Sequence, residues 1–137
     1  MNWDYLAGFV DGEGSIGITS MRKGQQFVPF LSIGNTNQQI LKDIRDFLAI
    51  GYVTNGYNSK RNAKTIYHYK LEGRSLLPVL LSLTPLLVVK KQQAVLVTKW
   101  IAQRIATPRS KRRGNGRYTD EDHAIRFAVQ ALNKRGL

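Results

Sequence analysis

The apolar positions of the first segment, Asn2 to Asp11, recur at helical spacing: Trp3, Leu6, Phe9 and Val10 share one broad face, and Ala7 and Gly8 leave a flat patch beside it. Asn2 stands where a helix cap is expected, and Gly12 and Gly14 end the element. The period then changes to two. From Ser15 to Arg22, Ile16 and Ile18 fall on one face and Gly17 and Thr19 on the other, which predicts a half-buried strand. The turn "RKGQQ" leads into a second strand, Phe27 to Gly34, with Leu31 and Ile33 on the core side. Pro29 argues against a central ladder position there, because it lacks an N–H. Helical spacing returns in "NTNQQILKDIRDFLAIG". Asn35, Thr36 or Asn37 is its cap, Ile40, Leu41, Ile44, Phe47 and Leu48 are its buried stripe, and Gly51 is its stop.

A second hairpin follows, with Tyr52 to Tyr57 pairing with Thr65 to Leu71 across the basic turn "NSKRNAK". Helices are predicted over Ser75 to Leu83 and Lys90 to Ile105, separated near Pro85. "TPRSKRRGNGR", Thr107 to Arg117, reads as a basic loop, and "TDEDHAIRFAVQALNK" as a last helix capped by Thr119, with acids in its first turn. Strands and helices do not alternate, so a doubly wound parallel sheet is not expected. Two hairpins and one-sided helices predict an α+β fold of order αββαββα, with a four-stranded antiparallel sheet and helices on one face. The 137 residues suit one domain, 1–137, with a core over about residues 3–105 and the basic loop and C-terminal helix over 107–135.

Composition narrows the function. Twenty-one Lys and Arg against nine Asp and Glu give +12, a field that attracts polyanions, nucleic acid first. The longest apolar run, Leu76 to Val89, is too short to span a bilayer and contains Pro78 and Pro85, so no membrane partner is expected. There is no cysteine, which excludes disulfides and thiolate zinc sites, and the two histidines, His68 and His123, are far apart. The start "MNWDY" has no signal-peptide pattern. A soluble intracellular protein is expected, in the cytoplasm, nucleoid or an organelle matrix.

The stretch "YLAGFVDGEGSIG" carries Gly12-x-Gly14-x-x-Gly17, the spacing of a dinucleotide loop. Such a loop needs a strand before it and a helix after it, and here the order is reversed. Gly8-x-x-x-Gly12 suggests another use, since small residues one turn apart let two helices approach closely, and one such helix needs a twofold copy. Glu13 would then lie at a helix C-terminus, where the dipole disfavours a carboxylate, facing its own copy across the axis. Hard divalent ions offset such a pair, and paired metals suit phosphodiester hydrolysis.

"LAGFVDGEG" resembles the signature of the LAGLIDADG homing endonucleases, with its acids at Asp11 and Glu13. The element order is similar to that of single-motif, homodimeric members, as is "LTPLLVVKKQQAVLV", Leu83 to Val97. The resemblance implies a site-specific endonuclease involved in intron homing that cuts double-stranded DNA as a homodimer. Magnesium is the implied cofactor, with manganese able to substitute. Glu13 and the Gly12 carbonyl would hold the metal. Lys90 would stabilise charge on the phosphate or order the attacking water, and Asn37, with Gln38 or Gln39 as alternatives, would hold a water nearby. Leu6, Ala7, Gly8, Phe9, Asp11 and Gly12 would form the dimer interface, Asp11 also helping to close the helix end.

The family's sheet lies in the major groove, so alternate strand residues would face DNA. These are Gly17, Thr19 and Met21, then Phe30, Ser32 and Gly34. In the second hairpin either Ile66, His68 and Lys70 or Tyr67 and Tyr69 do so, with His68 and Lys70 preferred. Arg22, Lys23, Gln25 and Gln26 at one turn, and Lys60, Arg61, Asn62 and Lys64 at the other, would reach bases or phosphates. Lys91, Arg109, Lys111, Arg112 and Arg113 would contact phosphates. About eight strand residues at ~3.3 Å each cover about eight base pairs, so two half-sites and a spacer give roughly 20. Short 3′ overhangs are what the family would leave. Two other uses of the same surface are a maturase that binds intron RNA and a non-catalytic DNA-binding regulator.

Overall fold

The computed structural model describes residues 1–56, 64–107 and 118–135. Helix α1 (Trp3–Glu13) leads directly into strand β1 (Gly14–Met21), which turns into β2 (Gln26–Asn35). Helix α2 (Gln38–Leu48) is followed by a short β3 (Tyr52–Val53) and by β4 (Tyr67–Glu72). Helix α3 (Leu76–Leu83) runs into a 3-10 turn at Thr84–Leu86, then come α4 (Lys91–Ala106) and α5 (Asp120–Arg135). The four strands form one antiparallel sheet in the order β1-β2-β4-β3. This is the expected α+β architecture.

One face of the sheet is the core face. Ile16 stands opposite Leu31, Leu31 opposite Leu71, and Ile33 opposite Tyr69. Leu6 and Val10 of α1, Leu41 and Ile44 of α2, Leu76 and Leu80 of α3 and Val97 of α4 are buried in the same core. Helices α1 to α4 turn their buried residues toward this layer and share one core on one side of the sheet.

Pro29 is nevertheless in a central strand. Its carbonyl accepts from Gly73 N–H at 3.0 Å, just past the last residue of β4. A strand residue directs its N–H and C=O to the same neighbour, so the missing donor falls where the neighbour has already ended. Asn37 is the cap of α2, its Oδ1 accepting from Ile40 N–H at 3.2 Å. That helix ends at Ala49 in the left-handed region, two residues before the predicted stop. Gly51 has φ +89, and a side chain there would overlap the Tyr69 hydroxyl. At the first turn, Arg22 and Lys23 have φ +53 and +56 and Gly24 +86. The two basic residues are thus held in a conformation costing about 1 kcal/mol each.

Tyr69 is fully buried and donates to the Ile50 carbonyl at 2.8 Å. Burial pushes its phenol up from 10.0 to about 12. The neutral form is favoured in the fold, so this contribution is fully present below pH 10 and is lost as pH rises toward 12, while the unfolded chain ionises first. Chemical denaturation across pH 9 to 12 should show that loss in the native protein, and a smaller one in Tyr69→Phe. Equal slopes would contradict the assignment.

Helix α5 is fastened by an aromatic and ionic cluster. Tyr118 stacks on Phe27 with centroids 4.0 Å apart, and its hydroxyl accepts from Phe27 N–H at 2.7 Å. Asp122 is 5% exposed, accepts from Trp100 Nε1 at 3.0 Å, pairs with Arg104 at 3.6 Å, and accepts from Thr119 N–H at 2.8 Å. Thr119 returns a cap to Asp122 N–H at 3.2 Å, a reciprocal box at the helix start. At the other end Asn133 Nδ2 donates to the Ile16 carbonyl at 3.0 Å, satisfying the outer edge of β1.

Candidate metal centre and nucleic-acid interface

The motif helix separates two faces. Leu6, Ala7 and Val10 are buried against their own core, with exposures of 0, 2 and 0%. Leu6 and Ala7 are therefore not available to a second chain, a correction to the expected interface. The outward face carries Tyr5, Gly8, Phe9 and Gly12, with Tyr5 and Phe9 stacked at 6.1 Å. Nothing lies within 4 Å of where a Cβ on Gly8 or Gly12 would stand. The face is flat because two of its residues have no side chain.

Asp11 also departs from an interface role. Its carboxylate turns inward and accepts from the N–H groups of Val88, Val89 and Lys90 at 2.8, 3.1 and 3.0 Å. It closes the start of α4 rather than the end of its own helix. Lys90 is the cap residue of α4, and its Nζ donates to the Asp11 carbonyl at 2.6 Å. One aspartate thus holds both the backbone and the ammonium group of Lys90.

The helix continues through Glu13, past Gly12. Glu13 is exposed and makes no hydrogen bond or ion pair among the described residues. The Gly12 carbonyl lies in the last turn, where intrahelical donors run out. A carboxylate and a backbone carbonyl are hard oxygen donors, the set that magnesium and calcium prefer. Among the described residues no three His, Asp or Glu side chains gather into a metal cluster. The donors present fit a hard cation and amount to half a site. Asn37 fits its expected role poorly, because its side-chain oxygen is engaged in capping α2.

The outer face of the sheet is set by register. Ser15 pairs with Ser32, Gly17 with Phe30, Thr19 with Val28 and Met21 with Gln26. Next come Phe30 with Glu72, Ser32 with Lys70, Gly34 with His68, and Tyr52 with Lys70. His68 and Lys70 are therefore outward, while Tyr69 lies in the core and Tyr67 packs against it. Gly17 is on this face yet buried: the Phe30 ring and Asn133 of α5 cover it. Gly34 is overlain by the His68 ring. Neither glycine offers an open DNA contact, which corrects two of the expected positions. Thr19, Met21, Arg22, Lys23, Gln25, Lys64 and Ile66 are exposed, Gln26, Ser32 and Lys70 are half-buried, and Lys91 is exposed at the start of α4 rather than in a strand. Ser15, Val28, Tyr52 and Glu72 share the outward face and were not foreseen. Ser15 and Val28 follow from extending the alternation by one pair, whereas Glu72 lies one residue past the predicted end of its strand. Lys60, Arg61, Asn62, Arg109, Lys111, Arg112 and Arg113 lie outside the described residues.

The family model for LAGLIDADG endonucleases matches residues 6–101. The chain belongs to the LAGLIDADG endonuclease family. Among LAGLIDADG proteins of known structure it is similar to the homing endonuclease I-CvuI, with 28% identity and a TM-score of 0.70, over 95% of this chain and 80% of that one. That structure holds uncleaved DNA in the presence of magnesium, and another of I-CvuI with its target contains calcium. Likeness in fold extends to the homing endonuclease I-TnaI, with 20% identity, TM-score 0.60, and 96% and 98% of the two chains. It extends also to the LAGLIDADG meganuclease I-AabMI bound to uncleaved DNA, with 20% identity, TM-score 0.68, and 92% of this chain but 44% of that one. No curated protein sequence matches.

Proposed function

We propose that the protein is a site-specific DNA endonuclease that acts as a homodimer with magnesium at the twofold axis. The observation that carries this is the pairing of an unpartnered Glu13 carboxylate with an uncovered helix face, Gly8 and Gly12, that a second copy would fill. Residues 1–137 carry one copy of the motif, "LAGFVDGEG", so a paired site draws on a second copy of it. Val88 and Val89, 82% and 67% exposed, would extend the interface beside α1, held there by Asp11. Two copies of Glu13 and of the Gly12 carbonyl would then complete the oxygen set.

A bound divalent ion would supply charge neutralisation and an activated water for phosphodiester hydrolysis. The protein's own part is positional. Glu13 holds negative charge at the helix end. An ammonium has three donors, and Lys90 spends one on Asp11, leaving the others for a phosphate oxygen, where a fixed charge stabilises what develops during displacement. The exposed basic turn and outward strand residues would track the DNA, with His68, Lys70, Thr19 and Ser32 able to reach base edges. A pseudo-palindromic site of roughly 20 base pairs follows from two sheets in succession, cut to short 3′ overhangs.

Gly8→Leu tests the assembly. Its Cβ meets nothing in the monomer, so the melting temperature of the isolated chain should hold, while close helix approach is blocked. We expect the dimer dissociation constant to rise by about 100-fold, ~3 kcal/mol, in sedimentation, and cleavage to fall with it. A monomer that cuts DNA as well as before would refute the shared site.

A further inference from the structure

The C-terminal helix lies outside the residues that the family model matches, yet it walls one side of a groove of about 540 Å³ along the outer edge of β1. The groove has Gly17, Thr19 and Phe30 on the sheet side and Arg126, Gln130 and Lys134 on the helix side. The helix side is one stripe at spacing i, i+4, i+8. All three residues are hydrogen-bond donors, and none is acidic. The three acids of α5 are in its first turn and none lines the groove: Asp120 is exposed at the helix start, Asp122 is buried in the Trp100 and Arg104 cluster, and Glu121 accepts from Gln103 at 3.1 Å and meets Lys99 at 4.0 Å.

Arg126 is the informative member. Its guanidinium carbon lies 5.0 Å from the Phe27 ring centroid and 4.9 Å from that of Phe127. Its Nε is buried and has no hydrogen-bond partner among the described residues. Two rings thus hold a charged fork in place, and among the described residues no carboxylate pairs with it. A guanidinium with one donor buried and unmade gains from an acceptor at its remaining N–H groups. Planar bidentate recognition of phosphate is what a pre-held guanidinium does well. From Arg126 to Lys134 the helix rises about 12 Å, which matches three to four nucleotides of one strand at ~3.4 Å each.

We infer that the α5–β1 groove is a second DNA contact, in which Arg126 and Lys134 take phosphates of a strand that runs past the edge of the reading sheet. This rests on the proposed DNA function and adds affinity without sequence information.

The test is the salt dependence of duplex binding by the full-length protein, measured in calcium on a DNA it cuts and on an unrelated duplex. Each lost phosphate contact lowers the slope of log K against log salt by about 0.9. Lys134→Gln, at an exposed position, removes one contact from each protomer of the dimer and should lower it by about 1.8 on both DNAs, and Arg126→Gln with Lys134→Gln by about 3.6, with the cut position unchanged. Lys134→Gln is read alone if the Arg126 change lowers the melting temperature. Unchanged slopes in a folded variant would overturn the groove contact. A shift in the preferred sequence would overturn it too, since it would make the residues base readers. If the unaltered protein binds neither duplex, the DNA reading itself fails, a result distinct from either.

Discussion

Glu13→Gln should bind DNA as tightly as the unaltered protein and cut it at least ~10³-fold more slowly, ~4 kcal/mol of transition-state stabilisation. The change keeps the volume and removes the charge. Glu13 makes no internal hydrogen bond or ion pair among the described residues, so the fold has little to lose at this exposed helix end. A metal has much to lose, because a neutral amide replaces an anionic oxygen donor. Binding can even strengthen, since a carboxylate directed at phosphate is repulsive until a cation intervenes. Cleavage and gel-shift titrations with the same duplex separate the two effects. Normal cutting would remove Glu13 from the site. Loss of binding together with cutting would point to a structural carboxylate, which its exposure gives no reason to expect.

Asp11→Ala should be the most damaging substitution outside the core. It leaves three backbone N–H groups, those of Val88, Val89 and Lys90, without their acceptor, and releases the segment that positions Lys90. Charge-assisted bonds of this kind are worth about 1.5–3 kcal/mol each when buried. Solvent reaches this site, so we expect about 3 kcal/mol in total and a melting temperature lower by about 10 °C. Asp11→Asn keeps one acceptor oxygen and should lose about half as much. Cleavage should fall in both variants even at temperatures where they are folded, because Lys90 is no longer held. A variant with an unchanged melting temperature would mean that the Asp11 contacts contribute nothing.

The phase of the sheet was legible because strict alternation leaves only two choices. Ile16, Ile18, Leu31 and Ile33 settle them in the first hairpin, and the tyrosine at 69 settles the second. Helix α1 was harder. Apolar residues surround it almost completely, so periodicity does not say which side meets the core, and Leu6 and Ala7 were placed on the wrong one. The covering of Gly17 depends on Asn133, 116 positions later, and no local pattern records that meeting. Asn37 illustrates a different ambiguity: an Asn before a helix is equally suited to capping and to holding water, and the backbone donor is nearer. In the sequence only the family resemblance tells the two acids of the motif apart, giving Glu13 the metal and Asp11 the interface and helix end. The fold adds the physical distinction, turning Asp11 onto the start of α4 and leaving Glu13 outside.

The most direct test of the central claim is to incubate the purified protein with a randomised duplex library and magnesium, then sequence the cut ends. The account predicts one long, near-palindromic site of roughly 20 base pairs, cut to 3′ overhangs, with no cutting after chelation or in Glu13→Gln. Binding without cutting in both magnesium and manganese would contradict it and leave a DNA- or RNA-binding protein on an endonuclease fold.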